Sequence, residues 1–168
     1  MYADWAASGR LYKPIESYIT ENLGNYVANT HTETTLTGTV MTDAYRQAHT
    51  IIKKHVHAGP DDMLLFAGFG MTAVVNKFQR ILGLRVPEHY KEYIKIENKP
   101  LIIITHMEHH SNQTSWVECL VDVEIIQRND NGLPDLNYLR EILKANRHRE
   151  LIVGSFTACS LYLPELSF

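Results

Sequence analysis

The sequence predicts an α/β fold in which a mainly parallel sheet lies between two layers of helices, a three-layer αβα arrangement. Strand-like and helix-like segments alternate along much of the chain, as βαβ units require. The clearest strand-like segments are apolar at successive positions, which indicates burial on both faces. With 168 residues, the chain is long enough to form a domain with its own core.

Composition excludes several classes of protein. Hydrophobic residues make up 45% and charged residues 21% of the chain, a balance typical of globular proteins rather than disordered ones. The net charge of −3 gives no reason to expect nucleic acid or an anionic membrane as a partner. No apolar run could span a bilayer, and the N-terminus does not resemble a signal peptide. The cysteines Cys119 and Cys159 form no disulfide framework, so we expect a cytoplasmic protein.

The first third of the chain predicts two helices joined by an ordered loop. Pro14 suits a first helical turn, apolar residues then recur at helical spacing, and Gly24 ends the run. Residues 25–40 are polar and rich in Asn, Thr and Gly, which predicts a loop. Thr42 or Asp43 is expected to cap the second helix.

The remaining two thirds predict alternating strands and helices. Val74, Val75, Phe78, Ile81 and Leu82 should form the core face of the first of these helices. The predicted elements in chain order are a buried strand at 63–66, a helix at about 71–82, a strand at 101–105, a short helix near 112–119, a strand at 123–127, a helix opening at 134–135 and a strand at 151–157.

Two loops follow predicted strands, where parallel sheets bind ligands. The first, Gly68–Thr72, is called the glycine turn, and the second, His106–Ser111, is called the histidine loop. We therefore expect any ligand site to lie between these two loops, at the carboxyl edge of the sheet.

The glycine turn predicts a phosphate site. Its glycines let the backbone turn tightly, the helix start offers unpaired N–H groups, and Thr72 adds a hydroxyl. The alternative is a turn that only redirects the chain, with Thr72 as a helix cap. Gly68, Gly70 and Ala73 also fit a permissive dinucleotide fingerprint, but the acid that should end the next strand is missing.

The histidine loop contains three histidines and Glu108 within five residues, and such a group could bind a metal ion. Adjacent His109 and His110 should diverge, and the spacing matches no common metal motif, so we expect no metal. A metalloenzyme using His106 and His109 is the weaker alternative. Stacking on, or hydrogen bonding to, a flat cofactor is the favoured function of this loop. Neither cysteine has a base partner in sequence, so neither is expected to be a nucleophile.

Several segments together resemble the class V aminotransferase and cysteine desulfurase family of fold-type I enzymes that depend on pyridoxal phosphate (PLP). The resemblance runs in register from Tyr2 to about Ser160. The segments that carry it are Tyr2–Ser8 (YADWAAS), Gly24-Asn25 with His31-Thr32, Gly70–Asn76 (GMTAVVN), and Met107–Asn112 (MEHHSN) with Trp116.

The resemblance implies a role for four residues of this chain. Gly70, Met71 and Thr72 fall in the turn that binds the cofactor phosphate, and His109 matches the histidine that stacks on the pyridine ring. It also implies PLP as cofactor, an amino acid as substrate and a homo-oligomer with active sites at the interface. The fold implied is the incomplete large domain of a PLP-dependent transferase.

The chain also departs from the family pattern. Ala73 replaces the usual Glu, and after Ser160 the sequence no longer resembles the segment that carries the Schiff-base lysine and the Asp partner of the pyridine nitrogen. No catalytic residue is therefore assigned. We expect residues 1–168 to be the N-terminal portion of a larger PLP-dependent enzyme, inactive alone. Asn76 and Asn112 are expected to have structural roles. The alternative is a non-enzymatic domain that binds a phosphate-bearing ligand or acts as a partner subunit.

Overall fold

A computed structural model describes residues 9–157, which divide into two compact units with a boundary between Leu65 and Phe66. The two units are described separately below. The predicted opening motif Tyr2–Ser8 lies outside the described residues, as does the chain from residue 158 onward, including Cys159.

The first unit is helical. Helix α1 spans Lys13–Tyr18 with Pro14 in its first turn, and it continues through a π-helical turn at Ile19–Leu23 and a 3-10 turn at Gly24–Tyr26. Helix α2 spans Leu36–His55. The predicted first helix is therefore confirmed.

Within the described part of the chain, no helix is both long enough and apolar enough to cross a membrane.

Helix α2 begins earlier than predicted, inside the segment expected to be a loop. The Thr35 hydroxyl accepts a hydrogen bond from the backbone N–H of Gly38 at 3.2 Å and so caps the helix. The buried Thr42 hydroxyl donates to the carbonyl oxygen of Thr32 at 3.2 Å. A Cβ on Gly38 would lie 2.5 Å from the Thr32 side chain, so the small residues that suggested a loop allow close packing on the helix.

The second unit contains a three-stranded parallel sheet in the order β2-β1-β3, flanked by helices. This confirms the predicted α/β class, and the central strand has the predicted bounds. The elements are α3 (Met71–Ile81), α4 (Glu88–Lys91), β1 (Leu101–Thr105), α5 (His110–Val117), β2 (Asp122–Ile126), α6 (Leu136–Ala145) and β3 (Ile152–Ser155).

Strand β1 is buried along its whole length and separates two apolar clusters. Ile102 and Ile104 pack on one face with Trp116 of α5 and with residues of α3. Leu101 and Ile103 pack on the other face with Ile142 of α6. The sheet therefore lies between α3 and α5 on one side and α6 on the other, which is the predicted three-layer order.

The predicted strand at 63–66 is wrong. This segment contains no helix or strand, and Met63 and Phe66 are 82% and 50% exposed. No described strand pairs with it, and the boundary between the two units falls inside it. A short apolar run indicates a tendency toward burial but does not identify a pairing partner, and for that reason the prediction failed here.

The predicted core face of α3 is partly wrong. Val75 and Leu82 pack against the core, but Phe78 and Ile81 are 41% and 53% exposed. The fully buried residue is Gln79, whose polar atoms find partners inside the unit. A polar side chain satisfied in this way can occupy a core position that hydrophobic spacing does not reveal.

Candidate functional site

The two loops singled out in the sequence meet at one pocket of about 520 Å³ in the second unit. The pocket lies at the carboxyl ends of β1 and β3, beside the first turn of α3. Of the four predicted cofactor-binding residues, Met71, Thr72 and His109 line it. The full lining is Met71, Thr72, Val75, Glu108, His109, Ser111, Asn112, Ser155, Phe156 and Thr157.

The glycine turn leads directly into α3, although no strand precedes it as predicted. Gly70 immediately precedes the helix with a φ of +90°, a conformation that glycine adopts readily. It does not itself line the pocket. Gly68 has a φ of +53°, and a Cβ there would lie 2.5 Å from the Cβ of Ala73. The backbone conformation thus requires glycine at both positions, and the close packing against Ala73 is a second reason for glycine at position 68.

The start of α3 is open to an anion. No side chain caps this end, and its first turn carries no acidic residue. The backbone N–H groups of Met71 and Thr72 therefore lie at the positive end of the helix dipole, and both residues line the pocket. An exposed helix start with a neighbouring hydroxyl suits a phosphate group.

His109 caps α5 from the opposite wall of the pocket. Its Nδ1 accepts a hydrogen bond from the backbone N–H of Ser111 at 3.2 Å and lies 2.8 Å from the Ser111 hydroxyl. Because Nδ1 is an acceptor, the proton of the neutral ring is on Nε2. The ring of His109 stacks on that of His110 at 4.3 Å. The expectation that these adjacent rings diverge is therefore wrong.

Glu108, next to His109, accepts four hydrogen bonds at the pocket. Its Oε1 accepts from the Thr105 hydroxyl at 2.7 Å and from the backbone N–H of Thr157 at 2.8 Å. Its Oε2 accepts from the Asn112 amide at 3.0 Å and from the Thr157 hydroxyl at 2.7 Å. Burial raises the pKa of this carboxyl, but the four hydrogen bonds outweigh burial and leave the pKa below its ordinary value.

Asn112 connects this carboxylate to the core. Its amide donates to Glu108, while its carbonyl oxygen accepts from the Trp116 indole N–H at 3.0 Å and from the Ser155 hydroxyl at 3.0 Å. Trp116 is buried, and its indole N–H also lies 3.2 Å from the Ser155 hydroxyl. Asn112 therefore links α5 to the end of β3 on the floor of the pocket.

A second polar network joins α3 to α5 behind the pocket. The buried Gln79 amide donates to the Ser115 hydroxyl at 3.0 Å. The Arg85 guanidinium donates to the side-chain oxygens of Asn76 and Gln79 and pairs with Glu118 at 2.8 Å. These bonds fix the two helices whose first turns form opposite walls of the site.

The other polar residues considered in the sequence lie outside the pocket. His106 does not line it, and its Nε2 lies 3.0 Å from the carbonyl oxygen of Gly132. Among the described residues, no group of three or more His, Cys, Asp or Glu side chains could hold a metal ion. The buried Cys119 thiol donates to the carbonyl oxygen of Ser115 at 3.3 Å, and burial raises the pKa of the thiol, which disfavours the reactive thiolate.

Sequence reasoning missed the residues on the pocket floor. Glu108 was considered only as a metal ligand, Asn112 had only a general structural role, and Ser155 and Thr157 were not singled out. The available signal was an acid immediately beyond a buried strand, which requires hydrogen-bond donors once it is enclosed. The donors come from Thr105 and from the carboxyl end of β3, which only the folded sheet brings together.

Comparisons with known proteins agree with this geometry. The family model described as Aminotransferase class-V matches residues 1–153. A protein named probable cysteine desulfurase, from Halalkalibacterium halodurans, is 27% identical over 116 residues. The alignment covers 69% of this chain and 26% of that relative, so the matched region spans about a quarter of the relative's length. The family match includes the glycine turn, the histidine loop, strands β1 and β2 and the first two residues of β3. The chain belongs to the class-V aminotransferase family.

Proposed function

We propose that this chain provides a PLP-binding site of a class-V aminotransferase or cysteine desulfurase-like enzyme that acts on an amino acid. One observation carries the proposal: the start of α3, at Met71 and Thr72, and the imidazole of His109 line the same pocket. Members of this family are generally PLP-dependent. The bound cofactor would withdraw electrons from the Cα atom of the amino-acid substrate.

The residues present fit the phosphate end of the cofactor. The uncapped N–H groups at the start of α3 would bind phosphate oxygens, and the Thr72 hydroxyl would donate a further bond. Gly70 contributes the left-handed turn that directs these groups into the pocket, although its own atoms do not line it. No acidic side chain in the first turn opposes a phosphate.

His109 fits the ring end of the cofactor. It lies at the pocket as an exposed, planar group held by its own cap on α5 and by stacking on His110. The remaining ring face would contact the pyridine ring, as the family resemblance implies. Because Nδ1 is occupied as an acceptor, His109 would hold a proton at Nε2.

We propose that the 168-residue chain alone is inactive because its pocket offers no amine for covalent attachment. All eight lysines lie within the described residues, and none of the ten residues lining the pocket is a lysine. An oligomer of this chain, as the family resemblance implies, is part of the same proposal. Cytoplasmic location stays a prediction from cysteine usage.

The experiment is equilibrium binding of PLP to the purified chain, followed by absorbance and fluorescence. Thr72→Val, which removes a hydrogen bond to the phosphate, and His109→Ala, which removes the stacking contact, should each weaken binding about tenfold. The controls are Thr114→Val and His148→Ala, whose side chains do not line the pocket. Pyridoxal without phosphate should bind more weakly and should not respond to Thr72→Val. Equal binding by all four variants would refute the proposed site.

Borohydride reduction followed by peptide mass spectrometry tests the absence of an amine in the pocket. We expect no lysine to be modified in preference to the others at stoichiometric PLP. Selective modification of one lysine, abolished by competing phosphate, would contradict the proposed inactivity of the chain alone.

A further inference from the structure

We propose that Glu108 is a positioning residue of the cofactor pocket, which holds the His109 imidazole in place by joining the ends of β1 and β3 to helix α5. This inference rests on the proposed function for its cofactor readout. The geometric part, the control of His109 by Glu108, stands on contacts that do not involve the cofactor.

The acceptor capacity of Glu108 is fully used. A carboxylate offers about four lone-pair positions, two on each oxygen. Oε1 accepts two hydrogen bonds, from Thr105 and the backbone of Thr157, and Oε2 accepts two, from Asn112 and the hydroxyl of Thr157. With no position left, Glu108 cannot act as a general base or as a metal ligand without losing one of these bonds. Its contacts therefore indicate a role in geometry.

The four donors come from three different elements. Thr105 ends β1, Thr157 follows β3, and Asn112 lies in the first turn of α5. The bonds therefore join two parallel strands at their carboxyl ends and fasten both to the helix that His109 caps. A carboxylate suits this position because it accepts four bonds at once, and bonds to an ionised acceptor are about twice as strong as neutral ones.

The control of His109 follows from chain connectivity. His109 is the next residue after Glu108, and its backbone carbonyl accepts from the N–H of Asn112 at 2.8 Å. The Glu108 side chain binds the Asn112 amide at 3.0 Å. Side chain and backbone of Asn112 thus hold the first turn of α5 to Glu108 and to His109, the residue that lines the pocket. Loss of the carboxylate would loosen the loop that carries His109 and so weaken the Ser111 contacts that hold its ring.

The test compares Glu108→Gln, Thr105→Val and the control Glu124→Gln, which changes an exposed carboxylate on β2. In Glu108→Gln, the new NH₂ group must face either the N–H of Thr157 or the amide of Asn112, so one donor loses its acceptor. Thr105→Val preserves shape and lies outside the pocket lining. It removes one donor to Glu108 and also the hydroxyl that accepts from the backbone N–H of Met107 at 3.3 Å. It therefore perturbs Glu108 without touching the cofactor.

Two readouts are measured on each variant: the ¹⁵N spectrum of the histidine rings and the Kd for PLP. The His109 signals are assigned by their loss in His109→Ala. Wild type should show an unprotonated Nδ1 and a protonated Nε2 for His109. In Glu108→Gln these signals should move toward the averaged pattern of a free imidazole, with Kd raised about tenfold. Thr105→Val should shift the His109 signals and the Kd in the same directions but by smaller amounts. Glu124→Gln should change neither the His109 signals nor the Kd.

The outcomes separate this inference from the proposed function. If wild type binds no PLP, the proposed function fails, and the histidine spectra still decide the role of Glu108. If Glu108→Gln does not fold, Thr105→Val decides. The inference is overturned if the folded variants have lower melting temperatures but retain the wild-type His109 signals, because Glu108 would then serve stability alone.

Discussion

Replacing Asn112 by Asp should destabilise the second unit in a pH-dependent way. The amide nitrogen of Asn112 lies 3.0 Å from Oε2 of Glu108 and donates a hydrogen bond to it. In the variant a carboxylate oxygen takes the place of this donor, so two negative charges meet beside the pocket. Two unit charges about 4 Å apart in an effective dielectric of about 20 repel by about 4 kcal/mol.

Part of the stability lost in Asn112→Asp does not come from charge repulsion, and the variant Asn112→Ala measures that part. Removing the side chain deprives Glu108 of one donor, while the Trp116 indole keeps the Ser155 hydroxyl as a partner. We expect a loss of about 1–3 kcal/mol for Asn112→Ala. At pH 7 the free energy of unfolding of Asn112→Asp should be lower than that of Asn112→Ala by about 1–4 kcal/mol. The lower value applies if solvent screens the two carboxylates from each other.

The pH dependence has a definite sign. In wild type the pKa of Glu108 is lower in the folded protein than in the unfolded chain. The ionised carboxylate therefore adds to the free energy of unfolding above the pKa of the unfolded chain. This stabilisation is lost as the pH falls through the pKa of the folded protein. In Asn112→Asp the pair shares one proton, and one folded pKa rises above its unfolded value. The variant therefore loses stability as pH rises through that raised pKa. The difference in free energy of unfolding between Asn112→Asp and wild type should be largest near neutral pH and should become smaller toward about pH 4.

Urea unfolding followed by the fluorescence of Trp116 measures these differences. Using Trp5→Phe as the background in all proteins leaves Trp116 as the single tryptophan, since the chain has two. Asn137→Asp, at an exposed position of α6, is the matched control and should change stability little. The predicted pH dependence requires a charged Glu108 next to residue 112. It is refuted if the difference in free energy of unfolding between Asn112→Asp and Asn112→Ala is the same from pH 4 to pH 8.

Three further predictions concern other parts of the second unit. Gly68→Ala should disturb the start of α3 and weaken PLP binding, because the new Cβ would lie 2.5 Å from Ala73; Gly83→Ala, also at positive φ but in open space, should leave the Kd unchanged. Ile104→Ala should lower the free energy of unfolding in urea by about 2–5 kcal/mol, since this side chain is fully buried in the sheet. Asp135→Ala should cost about 1 kcal/mol in the same assay, because its carboxylate caps α6.

The fold was largely predictable because its strongest determinants are local. The apolar run at 101–104, which is mostly β-branched, favours a buried strand, and the helix at Met71 follows directly from the glycines before it. The start of α2 was not predictable from composition, because Thr35 and Gly38 suit both a loop and a cap. Only the packing of Thr32 against the helix shows which applies.

The pocket was predictable only in part, for a physical reason. The phosphate-binding groups belong to one short segment, so glycine conformation and helix start are readable from sequence. The floor depends on Glu108, whose donors include Thr157, 49 residues away along the chain. Hydrogen bonds across such separations depend on strand register, and register is decided by the whole sheet rather than by local pattern.

The central position of β1 affects the order in which the chain can fold during synthesis. Pairing with β2 is complete once residue 126 is available, but the second pairing needs residue 155. At about 5–20 residues per second, the ribosome takes about 1.5–6 s to add the intervening residues. During that interval one hydrogen-bonding edge of a strand with four consecutive apolar residues lacks its final partner. Synthesis rate and chaperone supply should therefore influence the yield of folded chain more strongly than they would in a sheet whose first strand lies at an edge.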